Sequence, residues 1–231
     1  MPHRFFCDRN EGQEATFDQQ EAQHLRVLRK KSGDSLEWTD GKGNVFQGVL
    51  QELRKDCARV RIQKGEMDLS REPSCVLHLF LANAKWPRQS LLLEKATELG
   101  ARGITIFPSE RSIRDREKSQ RCKLVVRKAL KQCGGTLLPE LCFPGSFEDF
   151  LHSIPPGVTL YHLDPLATHT LPDVPETGKI GLVLGPEGGF SEPEKKQLEN
   201  RGARSIQLGK RILRLETAAI AALSFFFLRQ G

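Results

Sequence analysis

The chain has 231 residues, 38% of them hydrophobic, and a formal net charge of +6. A chain of this length accommodates one large domain or two unequal domains, each with its own hydrophobic core. No apolar run reaches membrane-spanning length and the first residues form no apolar signal region, so we expect a soluble, cytoplasmic protein that does not associate with a membrane.

The six cysteines are scattered, with no CxxC pair and no Cys/His spacing typical of a zinc site. We therefore expect reduced thiols, with neither a disulfide nor a bound metal. The six histidines also lie apart, and no GxSxG or HExxH motif is present, so nothing indicates a hydrolase.

The positive charge is concentrated in one segment. Residues 1–72 carry 13 basic and 13 acidic side chains, so the other 22 basic and 16 acidic side chains account for the whole +6. Within that remainder, residues 111–131 carry nine basic and two acidic side chains. Such a patch favours a polyanion, and nucleic acid is the commonest one in the cytoplasm. The alternative is a solvated helix face.

The first 70 residues predict a small, mostly β domain, which we interpret as a barrel. The segment "SLEWTDGKGNVFQGVLQEL" alternates around a DGKGN turn, as in a β-hairpin, and "CARVRIQKGE" predicts a further strand. "QQEAQHLRVLRK" predicts a helix. "GEMDLSREP" is typical of a linker.

After Pro73 the pattern predicts an α/β domain with a mostly parallel sheet. "CVLHLFLA" is a continuous apolar run, typical of a strand buried on both faces. "PRQSLLLEKATELG" begins with proline and ends at Gly100, as a helix would. Further strands are predicted at "GITIF", "VTLYHL", "KIGLVLG" and "SIQLG".

The residue patterns of two predicted helices indicate which of their faces are buried. In the basic segment, apolar residues from Cys122 to Cys133 recur at helical spacing, and the cations occupy the remaining positions. This predicts a helix that buries one face and presents a cationic one. The last segment, "ETAAIAALSFFFL", is apolar nearly all round, so we expect it to be buried against the sheet or against another subunit.

Two loops at strand ends indicate a small-molecule pocket. Gly185–Phe190 and Gly209–Glu216 each follow a predicted strand, and ligands of parallel sheets bind beyond the carboxyl ends of strands. The sequence "GPEGGF" has neither the GxGxxG pattern of a dinucleotide fold nor a P-loop. Ser191 and Glu194 predict a capping box that opens the next helix.

The two C-terminal motifs "LVLGPEGGFSEPE" and "LGKRILRLETAAIAAL" resemble the paired signature of the ribosomal RNA small subunit methyltransferase E family. These SPOUT-superfamily enzymes methylate N3 of a uridine in 16S rRNA. The segments "RFF", "HLRVLRKKSGD", "EKATELGA" and "SERS" also match, in order. The chain departs from the family pattern at Leu215, where threonine is usual, and at Gly135, where arginine is usual.

The resemblance implies a PUA-like, RNA-binding β-barrel over residues 1–70. It implies a SPOUT-type α/β domain with a deep trefoil knot over residues 74–231, a homodimer formed through the knot, and no metal. It further implies that the knot binds a bent S-adenosylmethionine, for which we expect the contacts Leu184, Gly185, Gly189, Leu208, Gly209, Ile212, Leu213, Thr217 and Ala218.

The resemblance also suggests how the chemistry is divided. Arg214 is the candidate for stabilising a developing uracil anion, with a salt bridge to Glu216 as its alternative role. Glu216 is a candidate base, but a carboxylate is far too acidic to take the N3 proton easily, which favours a structural role. Glu187 is expected to fix its turn. Contacts to 16S rRNA of the small ribosomal subunit are expected from Arg4, Arg29, Lys85, Arg111, Arg121, Lys123, Arg127 and Lys128.

Two alternatives remain at this point. One is another SPOUT RNA methyltransferase, acting on a ribose 2′-hydroxyl or a different base. The other is a non-catalytic RNA-binding or ribosome-assembly protein that has kept the knot. Cofactor binding separates the second from the enzymes, and the identity of the modified nucleoside separates one enzyme from another.

Overall fold

The computed structural model describes residues 4–113, 119–171 and 178–229. The chain divides after Glu72 into two compact units. The first unit also takes in Arg127–Leu138, and the second comprises Pro73–Val126 and the chain from Pro139 onward. The predicted domain limits of 1–70 and 74–231 stay a prediction.

The first unit is built on a mixed six-stranded sheet and contains helix α1 at Gln19–Val27. The strand order is β1-β4-β5-β6-β3-β2, with β1 parallel to β4 and the other neighbours antiparallel. The strands are β1 Arg4–Phe6, β2 Asn10–Glu11, β3 Glu14–Phe17, β4 Ser35–Thr39, β5 Asn44–Leu53 and β6 Ala58–Met67.

The core of this unit is aromatic, and the predicted hairpin closes over it. Trp38 is fully buried, lies edge-on to Phe17 and stacks on Phe46 with 5.5 Å between ring centroids. The turn between β4 and β5 is held by Asp40, whose Oδ1 accepts a hydrogen bond from Lys42 N at 2.7 Å. The hairpin that alternation predicted is therefore confirmed.

The second unit contains a seven-stranded sheet in the order β11-β13-β10-β12-β7-β8-β9, in which every neighbouring pair is parallel. The strands are β7 Val76–Ala82, β8 Gly103–Phe107, β9 Glu140–Cys142, β10 Val158–Leu163, β11 His169–Thr170, β12 Lys179–Leu184 and β13 Arg204–Gln207. The predicted α/β class with a parallel sheet is confirmed. The trefoil knot stays a prediction.

The remaining helices are α2 Trp86–Glu98, α3 Ser119–Cys133, α4 Phe147–Ser153, α5 Glu192–Asn200 and α6 Leu215–Leu228. The predicted stripe of α3 is present, because Cys122, Val126, Ala129 and Leu130 are buried. Helix α6 packs against α2 and β12. It buries Phe226 completely but leaves Phe227 and Leu228 exposed, at 41% and 76%. No helix among the described residues is both long and apolar enough to cross a bilayer.

Candidate functional site

A cavity of about 370 Å³ opens where three neighbouring parallel strands end. It lies beyond β10, β12 and β13, at the edge of the sheet where ligands of open parallel sheets bind. Its volume falls within the range of about 300–1,000 Å³ found for small-molecule and cofactor sites. The lining comes from three strand-end segments, His162–Pro165, Leu184–Phe190 and Ile206–Gly209, and from Arg211, Ile212, Leu213, Leu215 and Ala218.

Eight of the nine residues expected to contact the cofactor line this cavity. The ninth, Thr217, is exposed in the first turn of α6. The glycines leave the wall open: Gly189 has φ +69° and Gly209 has φ +147°, with nothing within 4 Å of a Cβ at either position. Glycine is needed there for its positive φ rather than because neighbouring atoms crowd it. The mainly apolar wall, open backbone and volume fit a nucleoside-sized cofactor.

The third lining segment, His162–Pro165, was missed by sequence reasoning because it contains no glycine pattern. His162 is buried, lies edge-on to Phe190, and has its Nδ1 3.4 Å from Ser205 Oγ. Burial desolvates the imidazolium form and so lowers the pKa of His162. Asp164 supplies a carboxylate to the same wall and caps its own turn by accepting a hydrogen bond from Leu166 N.

The glycine-rich loop after β12 is anchored by the aromatic packing of its last residue, Phe190. Phe190 is buried, and its ring lies 6.3 Å from that of Phe107 and 5.8 Å from that of Phe147. Within the loop, Gly189 N donates to Pro186 O at 2.8 Å, which closes a tight turn. The loop therefore enters the cavity from a rigid base.

Glu194 joins this loop to the segment "SERS". It is buried, and its carboxylate accepts hydrogen bonds from Ser191 N at 2.9 Å and Ser191 Oγ at 3.2 Å, which confirms the predicted capping box. The same carboxylate accepts from Glu110 N at 2.9 Å and Ser109 Oγ at 3.3 Å. Arg111 Nη1 adds a hydrogen bond to Gly188 O at 2.9 Å. Two loops distant in sequence are thus held together.

The two catalytic candidates lie at the start of α6. Arg214 is the exposed N-cap residue of that helix, and Glu216 is half-buried in its first turn. Glu216 Oε2 lies 3.6 Å from Nε of Arg88, which also pairs with Glu187. The ion-pair partner of Glu216 is therefore Arg88, a residue that the sequence did not single out, and Glu187 is engaged by the same guanidinium.

A second cavity of about 330 Å³ adjoins the first. It is lined by Arg88, Glu187, Leu213, Arg214 and Leu215. Three of these residues, Glu187, Leu213 and Leu215, line the first cavity as well. The site therefore consists of two neighbouring spaces with a shared wall, and the smaller one is bordered by two arginines and one carboxylate.

The residues expected to contact RNA fall into two groups. In the first, the cation already has an intramolecular partner: Arg4 pairs with Glu37, Arg121 lies 4.0 Å over the Trp86 ring, Arg127 pairs with Asp8 and Asp18, and Arg111 donates to Gly188. In the second group the side chains are exposed, and its members are Arg29, Lys85, Lys123 and Lys128. RNA contact by either group stays a prediction.

The sequence matches two described families. Residues 71–226 match an RNA methyltransferase domain, and residues 17–63 match an RNA methyltransferase PUA domain. A crystal structure described as a predicted RNA methyltransferase from Thermotoga maritima is 36% identical, covers 99% of this chain and 98% of its own, and superposes with a TM-score of 0.82. Together with the fold and the cavity, these matches establish that the chain is an RNA methyltransferase with a PUA domain.

Two further relatives narrow the family. Ribosomal RNA small subunit methyltransferase E of Buchnera aphidicola subsp. Schizaphis graminum is 29% identical over 89% of this chain and 86% of its own. The structure of ribosomal RNA small subunit methyltransferase E from Neisseria gonorrhoeae, bound to S-adenosyl methionine, is 29% identical. It covers 100% of this chain and 99% of its own, with a TM-score of 0.89. The chain belongs to the ribosomal RNA small subunit methyltransferase E family.

Proposed function

We propose that the protein transfers the methyl group of S-adenosylmethionine to N3 of a uridine in 16S rRNA of the small ribosomal subunit. The observation that carries the proposal is the cavity at the ends of β10, β12 and β13, because both family motifs contribute to its lining. The names of the relatives, and the cofactor bound to one of them, support the same activity.

S-adenosylmethionine is the cofactor of this chain, and when bound it supplies a methyl group already activated by the sulfonium. The chain would hold it with backbone groups of the three strand-end loops, which glycines leave accessible at Gly189 and Gly209. Apolar side chains of the lining, among them Leu184, would enclose its nucleoside part. A preformed pocket of this kind lowers the ordering cost of binding.

The protein's chemical task is to align the acceptor nitrogen with the methyl group and to favour the uracil anion. Arg214 is the candidate for stabilising the uracil anion. It lines the adjoining cavity, and its guanidinium can present paired donors to the uracil oxygens. The ion pair of Glu216 with Arg88 favours a structural role for that carboxylate. The base must leave the RNA stack to reach this position.

The partner is then the small ribosomal subunit or its 16S rRNA, so the protein acts in the cytoplasm. We further propose a homodimer in which α6 contributes to the interface. Its exposed Phe227 and Leu228 support this, because apolar side chains at the end of a helix favour burial against a second surface.

Nucleoside mass spectrometry of 16S rRNA tests the proposal directly. Deleting the gene in the source organism should remove one 3-methyluridine, and the purified protein with S-adenosylmethionine should restore it in small subunits from the deletion strain. Loss of a 2′-O-methylated nucleoside or of another methylated base would contradict the N3 assignment. An unchanged nucleoside profile, together with intact cofactor binding, would favour the non-catalytic alternative.

A further inference from the structure

One arginine joins the two walls of the candidate site. Arg88 lies in the first turn of α2, Glu187 in the loop after β12, and Glu216 in the first turn of α6. Nη1 of Arg88 pairs with Glu187 Oε1, while its Nε lies 3.6 Å from Glu216 Oε2. A guanidinium is suited to this arrangement, because it stays charged and presents donors on several sides of one plane. A single side chain therefore ties three separate segments together.

The two carboxylates are not equivalent. The Glu187 side chain is 66% exposed, so water screens its pair with Arg88 and the pair alone adds little stability. The Glu216 side chain is 18% exposed, and Oε2 is buried without accepting a hydrogen bond from any part of the chain that the structure describes. A carboxylate in that position depends on a nearby positive charge. Arg88 supplies it.

The linked segments form the wall between two cavities. Glu187, Leu213 and Leu215 line both the cofactor cavity and the adjoining cavity of about 330 Å³. A shift of the Glu187 loop relative to α6 changes the shape of both spaces at once. Alignment across such a wall is demanding, since a misplacement of about 1 Å can reduce a rate about 100-fold.

We propose that Arg88 is a positioning residue for methyl transfer, which holds the Glu187 loop against the start of α6 and compensates the charge of Glu216. This inference rests on the proposed function in taking the larger cavity as the cofactor site. Arg88 then acts on alignment more than on cofactor affinity, because most of the cofactor cavity is lined by residues that it does not touch.

The test replaces Arg88 by Met and by Lys, with Lys95→Met as the matched control. Lys95 lies two turns further along α2, is paired with Glu98 at 2.9 Å, and has 32% of its side chain exposed against 34% for Arg88. At saturating S-adenosylmethionine, single-turnover transfer to small subunits should slow by about 10- to 100-fold in Arg88→Met. Calorimetric cofactor affinity should weaken by less than about fivefold. Arg88→Lys should be intermediate, and Lys95→Met should match the wild type.

A double-mutant cycle separates positioning from general destabilisation. Glu216→Gln removes the charge that Arg88 compensates, so combining it with Arg88→Met should recover part of the transfer rate lost in Arg88→Met alone. Purely additive effects, or a wild-type rate in Arg88→Met, would overturn the proposal. So would a Glu216→Gln single variant that is slower than Arg88→Met, because Glu216 would then act in the chemistry itself.

The cycle remains informative if the proposed reaction is wrong. A wild-type protein that binds S-adenosylmethionine but transfers no methyl group to small subunits refutes the proposed function. In that case the thermal midpoints of the same four proteins still test the charge compensation. Arg88→Met should lower the midpoint, and Glu216→Gln in the same chain should restore part of it. Additive midpoints would overturn the link between Arg88 and Glu216.

Discussion

Replacing Glu194 by Ala should destabilise the second unit and weaken cofactor binding together. The carboxylate is buried and accepts from two backbone amides, Ser191 N and Glu110 N, each at 2.9 Å, and from two serine hydroxyls. Hydrogen bonds to charged groups contribute about 1.5–3 kcal/mol each, and the loss of a helix cap costs about 1 kcal/mol. Glu110 itself is exposed, so water replaces part of what its amide loses.

The expected loss is therefore about 2–4 kcal/mol, less than the full sum of the two amide bonds. For a chain of this size, 1 kcal/mol shifts the melting midpoint by about 2–4 °C, so Glu194→Ala should melt about 4–16 °C lower. Its cofactor affinity should fall as well, because the carboxylate holds the loop that enters the cavity. Circular dichroism melting and titration calorimetry measure the two effects.

Glu192→Ala is the matched control. Glu192 lies in the same first turn of α5 and experiences the same helix dipole, but it is exposed and its pair is with Lys195 on the same helix. Removing it should cost less than about 0.5 kcal/mol, as is usual for surface substitutions. A Glu194→Ala protein as stable as Glu192→Ala, with wild-type cofactor affinity, would refute the claim that Glu194 joins the two loops.

Four other predictions concern the glycine-rich loop, the cationic face of α3, the end of α6 and the buried His162. Gly189→Val should weaken cofactor binding by calorimetry while the protein still folds, because a β-branched residue strains the φ of +69° without a clash. Replacing Lys123 and Lys128 by Ala should weaken binding to small subunits and reduce its dependence on salt. Phe227→Asp should convert dimers to monomers in sedimentation. His162→Gln should reduce the loss of stability on acidification. Burial lowers the pKa of His162, so the stability that this residue contributes is complete above the unfolded-state pKa of about 6.5 and is lost as the pH falls.

The first three of these have a control elsewhere in the molecule. Gly202→Val carries similar strain, at φ +84°, away from the cavity, so it should lower stability and leave cofactor affinity unchanged. Replacing Lys179 and Lys196 by Ala should leave the salt dependence of RNA binding equal to that of the wild type. Val27→Asp alters an apolar residue that is 73% exposed in the other unit and should leave the dimer intact. For His162→Gln, a pH profile of stability identical to that of the wild type would contradict the prediction. A variant that behaves like its control would contradict the corresponding prediction.

The elements predicted well are those whose apolar pattern is decided locally. "GITIF" and "VTLYHL" coincide with β8 and β10. Strand β8 is buried throughout, and a strand buried on both faces needs continuous apolar residues. The missed elements are short. Helix α4 spans seven residues and is fixed by Phe150, which stacks on Phe107 at 3.8 Å, a contact that no local pattern reveals. Strands β2 and β11 have two residues each and depend on their neighbours for their geometry.

The sequence predicted the parts of the site that consist of accessible backbone, but it did not predict the ion pairs between side chains. Glycines at strand ends mark accessible backbone, so the two motif loops were found. The pairing of Arg88 with Glu216 joins residues far apart in the chain, and a charge has many possible partners until the fold selects one. The same holds for Arg127, which pairs with Asp8 and Asp18 and so is less available to RNA than its position on a cationic helix face indicates.

Because cations of α3 are paired within the chain, the net charge of α3 does not give the number of its side chains that are available to bind RNA. Each phosphate neutralised on single-stranded nucleic acid contributes about 0.7 to the slope of log affinity against log salt. Four free cations at Arg121, Lys123, Arg127 and Lys128 would contribute about 2.8, whereas Lys123 and Lys128 alone contribute about 1.4. Arg121 stacks on Trp86 and Arg127 lies between two aspartates, so the smaller value is expected. The slope lost on replacing all four cations therefore measures how many the fold leaves for RNA, and a loss near 2.8 would mean that both arginines exchange their partners for phosphate.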